Sequence, residues 1–275
     1  MTDINARFIG SIPENYDRHL GPVLFEPYAR DLARRLDLKE GARVLEIACG
    51  TGIVTRHLID RLPPKGRLVA TDLNEPMIQH ARGKMPNAKG VEWKQADACA
   101  LPFEDASFDA IVCQFGLMFV PDKPLAMKEA RRVLAPGGLC LMSVWDSLER
   151  NQFARIAHET INSFFVTDPP TFYQVPFSLH RADALRALAT DAGFAEVRVE
   201  PVSLQGESAS ARSLATGLVE GNPVGNTIRE RGGIREDEAI EAVAKVLGRD
   251  FGEAPARMLL HALVLSARSG TPTRT

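Results

Sequence analysis

The stretch Arg43–Gly52, Arg-Val-Leu-Glu-Ile-Ala-Cys-Gly-Thr-Gly, constrains this chain more than any other. Val44, Leu45 and Ile47 form a short apolar run with Glu46 inside it. The run ends in a turn of small residues, Ala48-Cys49-Gly50-Thr51-Gly52, and Ile53, Val54, His57, Leu58 and Leu62 then recur at helical spacing. A strand, a tight turn and a helix in that order bring backbone close to a ligand and aim helix N–H groups at it. Gly50 and Gly52 carry no Cβ, so they take unusual dihedrals and let a ligand approach. A glycine pair alone fixes no chemistry; the neighbouring segments decide.

Those segments repeat the same order. Arg67–Thr71 reads as a second strand ending at Asp72. Asn74-Glu75-Pro76 reads as the N-cap and first turn of a helix running to about Lys84, since proline is tolerated there. Val91–Gln95 alternates as a third strand leading to Asp97, and Phe108–Cys113 is a fourth ending at Gln114-Phe115-Gly116. A helix fits from about Pro124 to Leu134, and the turn Pro136-Gly137-Gly138 opens a fifth strand, Leu139–Trp145. Strands alternating with helices across short turns predict a Rossmann-like, doubly wound α/β fold, a seven-stranded and mostly parallel sheet with helices on both faces.

On either side the pattern loosens. Phe8–Leu20 reads as an irregular arm and about Phe25–Leu36 as a helix. Beyond the fifth strand, helices fit about Phe153–Phe164 and Arg181–Ala192, a sixth strand Phe194–Val202 and a last strand Met258–Ala267. The long, mostly helical stretch between those two strands predicts an inserted lid rather than a hairpin loop. The expected division is an arm and helix over 1–40, a core over 41–205, a helical lid insertion over 206–257, and the last strand with a tail over 258–275.

A formal net charge of −2 over 275 residues gives no global pull toward nucleic acid or an anionic membrane. No apolar run approaches the ~20 residues of a membrane span, and Met1–Asn5 lacks the charged-then-apolar order of a signal peptide. Cys49, Cys99, Cys113 and Cys140 show no CxxC spacing, which fits reduced thiols in a cytoplasmic protein better than disulfides or metal ligands.

Gly50, Gly52, Asp72, Asp97 and Gln114 all fall at the C-terminal ends of expected parallel strands, the edge where open α/β sheets bind ligands. Asp72 lies 20 residues after Gly52, where a carboxylate can accept both hydroxyls of a ribose. Together these segments resemble the class I S-adenosylmethionine-dependent methyltransferases, and within them the small-molecule group related to ubiquinone and menaquinone biosynthesis methyltransferases. Val44–Gly52 matches that family's glycine motif, Thr71–Met77 its acidic ribose motif, and Gln95–Phe103 its adenine-side motif. Phe108–Val112 and Leu134–Gly138 match the last two. The resemblance runs from about Tyr16 to Trp145. Ala48 departs from it, standing where the family usually has its first glycine; alanine holds a tight turn there unless positive φ is required.

The resemblance implies S-adenosylmethionine as methyl donor, S-adenosylhomocysteine as product, and no metal. It implies Ala48, Gly50 and Gly52 against the methionine and ribose parts, with Glu46 supporting the amino-group side. Asp72 would hold the ribose hydroxyls, Leu73 and Met77 would flank the adenine, and Asp97 with Ala98 would meet its exocyclic amine. Gln114 and Phe115 would line the methyl end, and Tyr16 would be the arm aromatic laid over the cofactor. Local roles stay open beside these: a strand residue with a local partner for Glu46, core for Met77, a turn for Asp97, arm packing for Tyr16.

The reaction so implied is in-line transfer of a methyl group to oxygen, nitrogen or carbon of a small molecule. Phe153, Phe164, Phe165, Phe172, Tyr173 and Phe177 crowd the region beyond the fifth strand and favour an apolar or aromatic acceptor. The expected partner is that acceptor, with no nucleic acid and no membrane span; a homodimer is left open. A hydroxyl acceptor wants a general base. Among the histidines of the covering segments, His19 and His180 are the candidates, and neither has a partner motif. Asp168-Pro169-Pro170 invites comparison with nucleic-acid amino-methylating enzymes, but it sits beyond the fifth strand and lacks their aromatic residue. Two alternatives frame the assignment. A nicotinamide-dependent oxidoreductase also needs a glycine turn and a distal acid, yet Thr55 stands where its third glycine belongs. A non-catalytic S-adenosylmethionine-binding protein would bind without turnover.

Overall fold

The computed structural model describes residues 8–270. Its strands are β1 (Arg43–Ile47), β2 (Arg67–Asp72), β3 (Val91–Gln95), β4 (Phe108–Gln114), β5 (Leu134–Trp145), β6 (Phe194–Ser208) and β7 (Ala256–Ser269). They form one seven-stranded sheet in the order β3-β2-β1-β4-β5-β7-β6. Every pairing from β3 to β5 is parallel, and β7 lies antiparallel to both β5 and β6. The expected fold is therefore present. The central strands β1, β4 and β5 are largely buried on both faces, as strands covered by helices on each side must be, whereas β3, at one edge, has no buried residue. β6, at the edge, alternates exposed and covered positions and accommodates Pro201, which an edge strand tolerates.

The helices are α1 (Ile12–Asn15), α2 (Glu26–Arg34), α3 (Ile53–Arg61), α4 (Glu75–Lys84), α5 (Lys123–Val133), α6 (Gln152–Asn162), α7 (Ala182–Asp191), α8 (Ala211–Glu220), α9 (Val224–Arg231) and α10 (Glu236–Phe251). α1, α2, α4 and α5 each start with proline in their first two positions, where its missing N–H costs nothing. Asp122 caps α5 by accepting the Leu125 amide at 2.9 Å, and Ser210 caps α8 by accepting that of Ser213 at 3.0 Å.

The arm is not irregular. α1 is followed by a π-helical segment, Tyr16–Phe25, that runs without a break into α2 despite Pro22 inside it. Glycine and proline punctuation made the segment look broken. Burial of Leu20, Val23, Leu24 and Phe25 on the sheet core outweighs that local preference. Three strands also outrun their expected bounds by two residues or more: β5 begins at Leu134, β6 continues to Ser208, past the expected domain boundary at 205, and β7 spans Ala256–Ser269.

α8, α9 and α10 all lie between β6 and β7 in the chain. α8 packs on α10 and on the π-helical segment, and α10 packs on α6. Glycines permit the close approach of α8 to the arm. A Cβ on Gly217 would fall 2.7 Å from the Cβ of His19, and one on Gly221 would fall 3.1 Å from the Tyr16 backbone. The arm and α8 thus pack closely on each other. Among the described residues no helix is long and apolar enough to cross a membrane.

Candidate active site

Chain order reverses between β1 and β4, and a cleft opens beyond the C-terminal ends of these strands, as expected at a topological switch point. The register brings the ends level: Ile47 pairs with Thr71, Asp72 with Gln95, and Gln114 with Ser143. Atom-free space in the cleft, its mouth included, is about 1360 Å³.

Both loops at the switch are strained. Ala48, after β1, has φ +57°, and Phe115, after β4, has φ +52°. Non-glycine residues avoid that region, and strain of this kind concentrates at functional sites. The glycine that the motif lacks at 48 is thus a real loss of freedom. Gly116 accommodates it, since a Cβ there would lie 2.3 Å from the Cβ of Ala48. Relief of the left-handed strain, about 1–2 kcal/mol, exceeds the extra unfolded-state entropy of glycine, about 0.5–1 kcal/mol. Ala48→Gly is therefore expected to leave stability unchanged or raise it by up to about 1 kcal/mol in urea unfolding.

Two carboxylates organise the loop. Asp72 is buried, accepting the Gly50 amide at 2.9 Å through one oxygen and the Asn74 amide at 2.8 Å through the other. Burial pushes its carboxyl above the ordinary carboxylate range, and these amides pull it back. Asn74 sits at the N-cap of α4, but its side-chain amide reaches Asp72 instead of capping. Glu46 lies under the loop, fully buried, and accepts the Thr55 hydroxyl at 2.6 Å. Thr55 thus has a use at the position where a dinucleotide motif requires glycine. Burial pushes the Glu46 carboxyl up to about 8, the Asp72 charge adding to the rise and the Thr55 hydrogen bond opposing it.

A carboxyl raised in this way holds its proton in the folded state and loses it in the unfolded state above the ordinary value near 4.5. Its contribution to stability is complete below that pH and is lost as pH rises through about 8. Between pH 5 and 8.5 the wild type is expected to lose about 4 kcal/mol relative to Glu46→Gln, read from urea unfolding at both pH values. Equal pH dependence in the two proteins would place an ionised Glu46 in the fold.

A side pocket of the cleft, bounded by Ala48 to Thr51, Ile53, Val54 and Gln114, holds two buried polar atoms with open valences. Gln114 donates its Nε2 to the Phe25 carbonyl at 3.2 Å and leaves Oε1 unpaired. Thr51 Oγ1 makes no well-formed hydrogen bond, with the Asp17 carboxylate beside it. One acceptor and one hydroxyl in this recess match an ammonium and a carboxylate.

The rest of the cleft is apolar. Trp145, at the end of β5, stacks on Phe115 with centroids 4.0 Å apart and meets Phe25, Tyr28, Phe153 and Phe177 within 6.2 Å. Tyr16 stacks on Phe25 at 4.5 Å and meets Phe8 edge-on at 5.9 Å, so the arm roofs the opening. Asp72 and Asp97 are the only charged residues in the lining among the described residues.

Ten of the residues singled out by sequence line this cleft: Tyr16, Ala48, Gly50, Asp72, Leu73, Met77, Asp97, Ala98, Gln114 and Phe115. Leu73 is 41% exposed, an apolar side chain open to a ligand, whereas Met77 is buried against Phe8 and Ile12. Asp97 also accepts the Cys99 amide at 2.8 Å, a turn bond. Glu46 and Gly52 stand outside the lining. A Cβ on Gly52 would fall 2.4 Å from Met85 Cε and 3.0 Å from the Cβ of Ala81, so the absence of a side chain lets the loop close on α4. His19 and His180 are absent from the lining. His19 Nδ1 lies 2.9 Å from Ser213 Oγ on α8, and exposed His180 lies 2.9 Å from the Phe177 carbonyl. Thr51, Trp145 and Asn222 were not singled out and belong to the cleft walls. Thr51 lay inside the glycine motif, and Trp145 ended an apolar strand at the ligand edge; Asn222 gave no signal in one dimension.

Known proteins agree with this architecture. Residues 45–142 match the profile of a methyltransferase domain family. The demethylmenaquinone methyltransferase of Staphylococcus aureus is 30% identical over 206 residues, 70% of this chain and 86% of that protein. The enzyme of the same name from Staphylococcus carnosus is 29% identical over 203 residues, 69% and 84% of the two chains. Among solved structures, phosphoethanolamine N-methyltransferase 2 of Haemonchus contortus superposes with a TM-score of 0.60 at 16% identity, covering 94% of this chain and 57% of that one. An S-adenosylmethionine-dependent methyltransferase of Aquifex aeolicus gives 0.54 at 16% identity, covering 94% and 98%. With the fold, the motif order and this extent of relatedness in hand, the chain belongs to the class I S-adenosylmethionine-dependent methyltransferases.

Proposed function

We propose that this methyltransferase acts on an uncharged, apolar or aromatic small molecule, and that it positions this acceptor without a side-chain base. The observation that carries the reading is the distribution of charge. Both charged lining residues, Asp72 and Asp97, follow β2 and β3, while the wall formed by Leu117 to Pro121, Trp145, Phe153 and Phe172 to Phe177 has none. A charged acceptor entering that wall loses its hydration with no ionic partner, a cost of several kcal/mol.

S-adenosylmethionine supplies the electrophilic sulfonium methyl when bound. The residues described above fit it: Asp72 as acceptor for the ribose hydroxyls, Leu73 and Met77 beside the adenine, Asp97 and Ala98 at its edge. Gln114 Oε1 and Thr51 Oγ1 suit the ammonium and carboxylate of the methionine end, and Gly50 and Ala48 form the floor. Glu46, buried under that floor, places a titratable carboxyl behind the ammonium. Tyr16, Phe25 and Phe115 offer aromatic faces suited to a sulfonium cation. Arm and insertion would then serve as the cover that excludes water, so that alignment supplies much of the acceleration.

None of the six histidines lines the cleft, and burial raises the phenols of Tyr16 and Tyr173 above their ordinary range. An acceptor is therefore expected to arrive as a nucleophile in its own right, a carbon nucleophile, a neutral amine or a pre-ionised hydroxyl. The proposal includes no metal and no nucleic-acid partner. It also includes a cytoplasmic location, in keeping with four free cysteines. The test is transfer of labelled methyl from S-adenosylmethionine to a panel of neutral aromatic compounds and to charged amines such as phosphoethanolamine. Turnover confined to the neutral set is expected; preference for the charged set would overturn the proposal.

A further inference from the structure

We propose that Asn222 selects the methyl acceptor by taking a hydrogen bond from a neutral O–H or N–H group on it. The inference rests on the reading of the aromatic half of the cleft as the acceptor pocket, and it goes beyond that reading by naming a residue and a chemical group.

Asn222 lies just after α8, where that helix meets the arm, and is 8% exposed in the cleft wall. The valences around it can be counted. Its Nδ2 donates to the Leu218 carbonyl at 3.1 Å, and the Tyr173 hydroxyl donates to the same carbonyl at 2.8 Å. A carbonyl oxygen has two lone pairs, so Leu218 is saturated. A carbonyl can only accept, so the contact fixes which end of the Asn222 amide is nitrogen. The Tyr173 phenol, bonded to the same carbonyl, is a neighbour of the Asn222 side chain. One amide hydrogen of Asn222 is thereby used inside the protein. Its Oδ1 accepts no hydrogen bond among the described residues, and Asn222 belongs to the lining of the cleft.

An acceptor atom in an apolar, nearly dry wall is costly when left unpaired, about 1–3 kcal/mol. A ligand O–H or N–H recovers that cost; an ether or a bare ring at the same place does not. Sites built around such a bond discriminate strongly against analogues that lack the donor. No charge faces Asn222 from the wall, so the donor it matches is neutral.

The probes are 2-naphthol and 2-methoxynaphthalene, equal in ring system and different in the donor. Each is titrated into protein saturated with S-adenosylhomocysteine and followed by ligand-observed NMR. Wild type is expected to bind 2-naphthol about 10-fold tighter. Asn222→Leu and Asn222→Ala are expected to bring the two probes within about 2-fold, and Asn222→Asp, which keeps an acceptor oxygen, to preserve the preference. Titration of each variant with S-adenosylhomocysteine separates a lost fold from a lost contact. Equal affinities in the wild type, binding of neither probe, or a preference that survives in Asn222→Leu would each overturn the assignment. Failure of S-adenosylhomocysteine to bind the wild type would instead remove the cofactor reading on which it stands.

Discussion

Asp72→Ala is expected to weaken S-adenosylhomocysteine binding by about 100-fold or more in calorimetry. Two hydrogen bonds from ribose hydroxyls to one carboxylate are worth about 1.5–3 kcal/mol each when an ion accepts them. The loss has a second source inside the protein. Asp72 also accepts the amides of Gly50 and Asn74, so removing it leaves two loop N–H groups without their acceptor and loosens the floor of the site. Asp72→Asn separates the two effects. It keeps one oxygen for the loop and loses the charge, and about a 10-fold weakening is expected. Unchanged affinity in Asp72→Ala would move the ribose away from β2.

Gly116→Ala is expected to cost about 2–3 kcal/mol of unfolding free energy, although its backbone is in an ordinary region. The cause is space. A methyl group there would sit 2.3 Å from the Cβ of Ala48 and 3.0 Å from Sγ of Cys113, and overpacking of this kind costs about 1–3 kcal/mol. The two loops at the switch point share room for one methyl, which this chain places at 48. Ala48→Gly combined with Gly116→Ala moves that methyl across the gap. The double variant is expected to recover most of the loss, a coupling of about 1–2 kcal/mol between residues 68 positions apart. Additive effects in the cycle would mean that Gly116 is constrained by Cys113 instead.

Much of this architecture could be read from the chain because β1, β2, β4 and β5 repeat one pattern, strand, turn, helix, and β3 keeps the strand and acidic turn without the helix. That repetition puts Asp72, Asp97 and Gln114 at a common edge. What the pattern could not carry depends on three-dimensional neighbours. Proline and glycine between Gly10 and Pro22 spoke for an irregular arm, and only the buried face of Leu20, Val23, Leu24 and Phe25 makes it helical. Gly52 looked like a ligand glycine and is bare because Met85 and Ala81 press against it. Histidines in covering segments were indistinguishable in sequence, and His19 turns to Ser213 because α8 packs along the arm. Asn222 in the loop after α8 had no periodic signal. Its place follows from Leu218 and Tyr173, which are 45 residues apart in the chain.

The crystal structure of the S-adenosylhomocysteine complex tests the account most directly. The prediction is a nucleoside with both ribose hydroxyls on Asp72, and a methionine end in the recess of Gln114 and Thr51. The sulfur should then face the aromatic wall of Phe25, Phe115 and Trp145. A sulfur turned to solvent, or a methionine end lying along the aromatic wall, would contradict both the placement of the cofactor and the apolar acceptor pocket built on it.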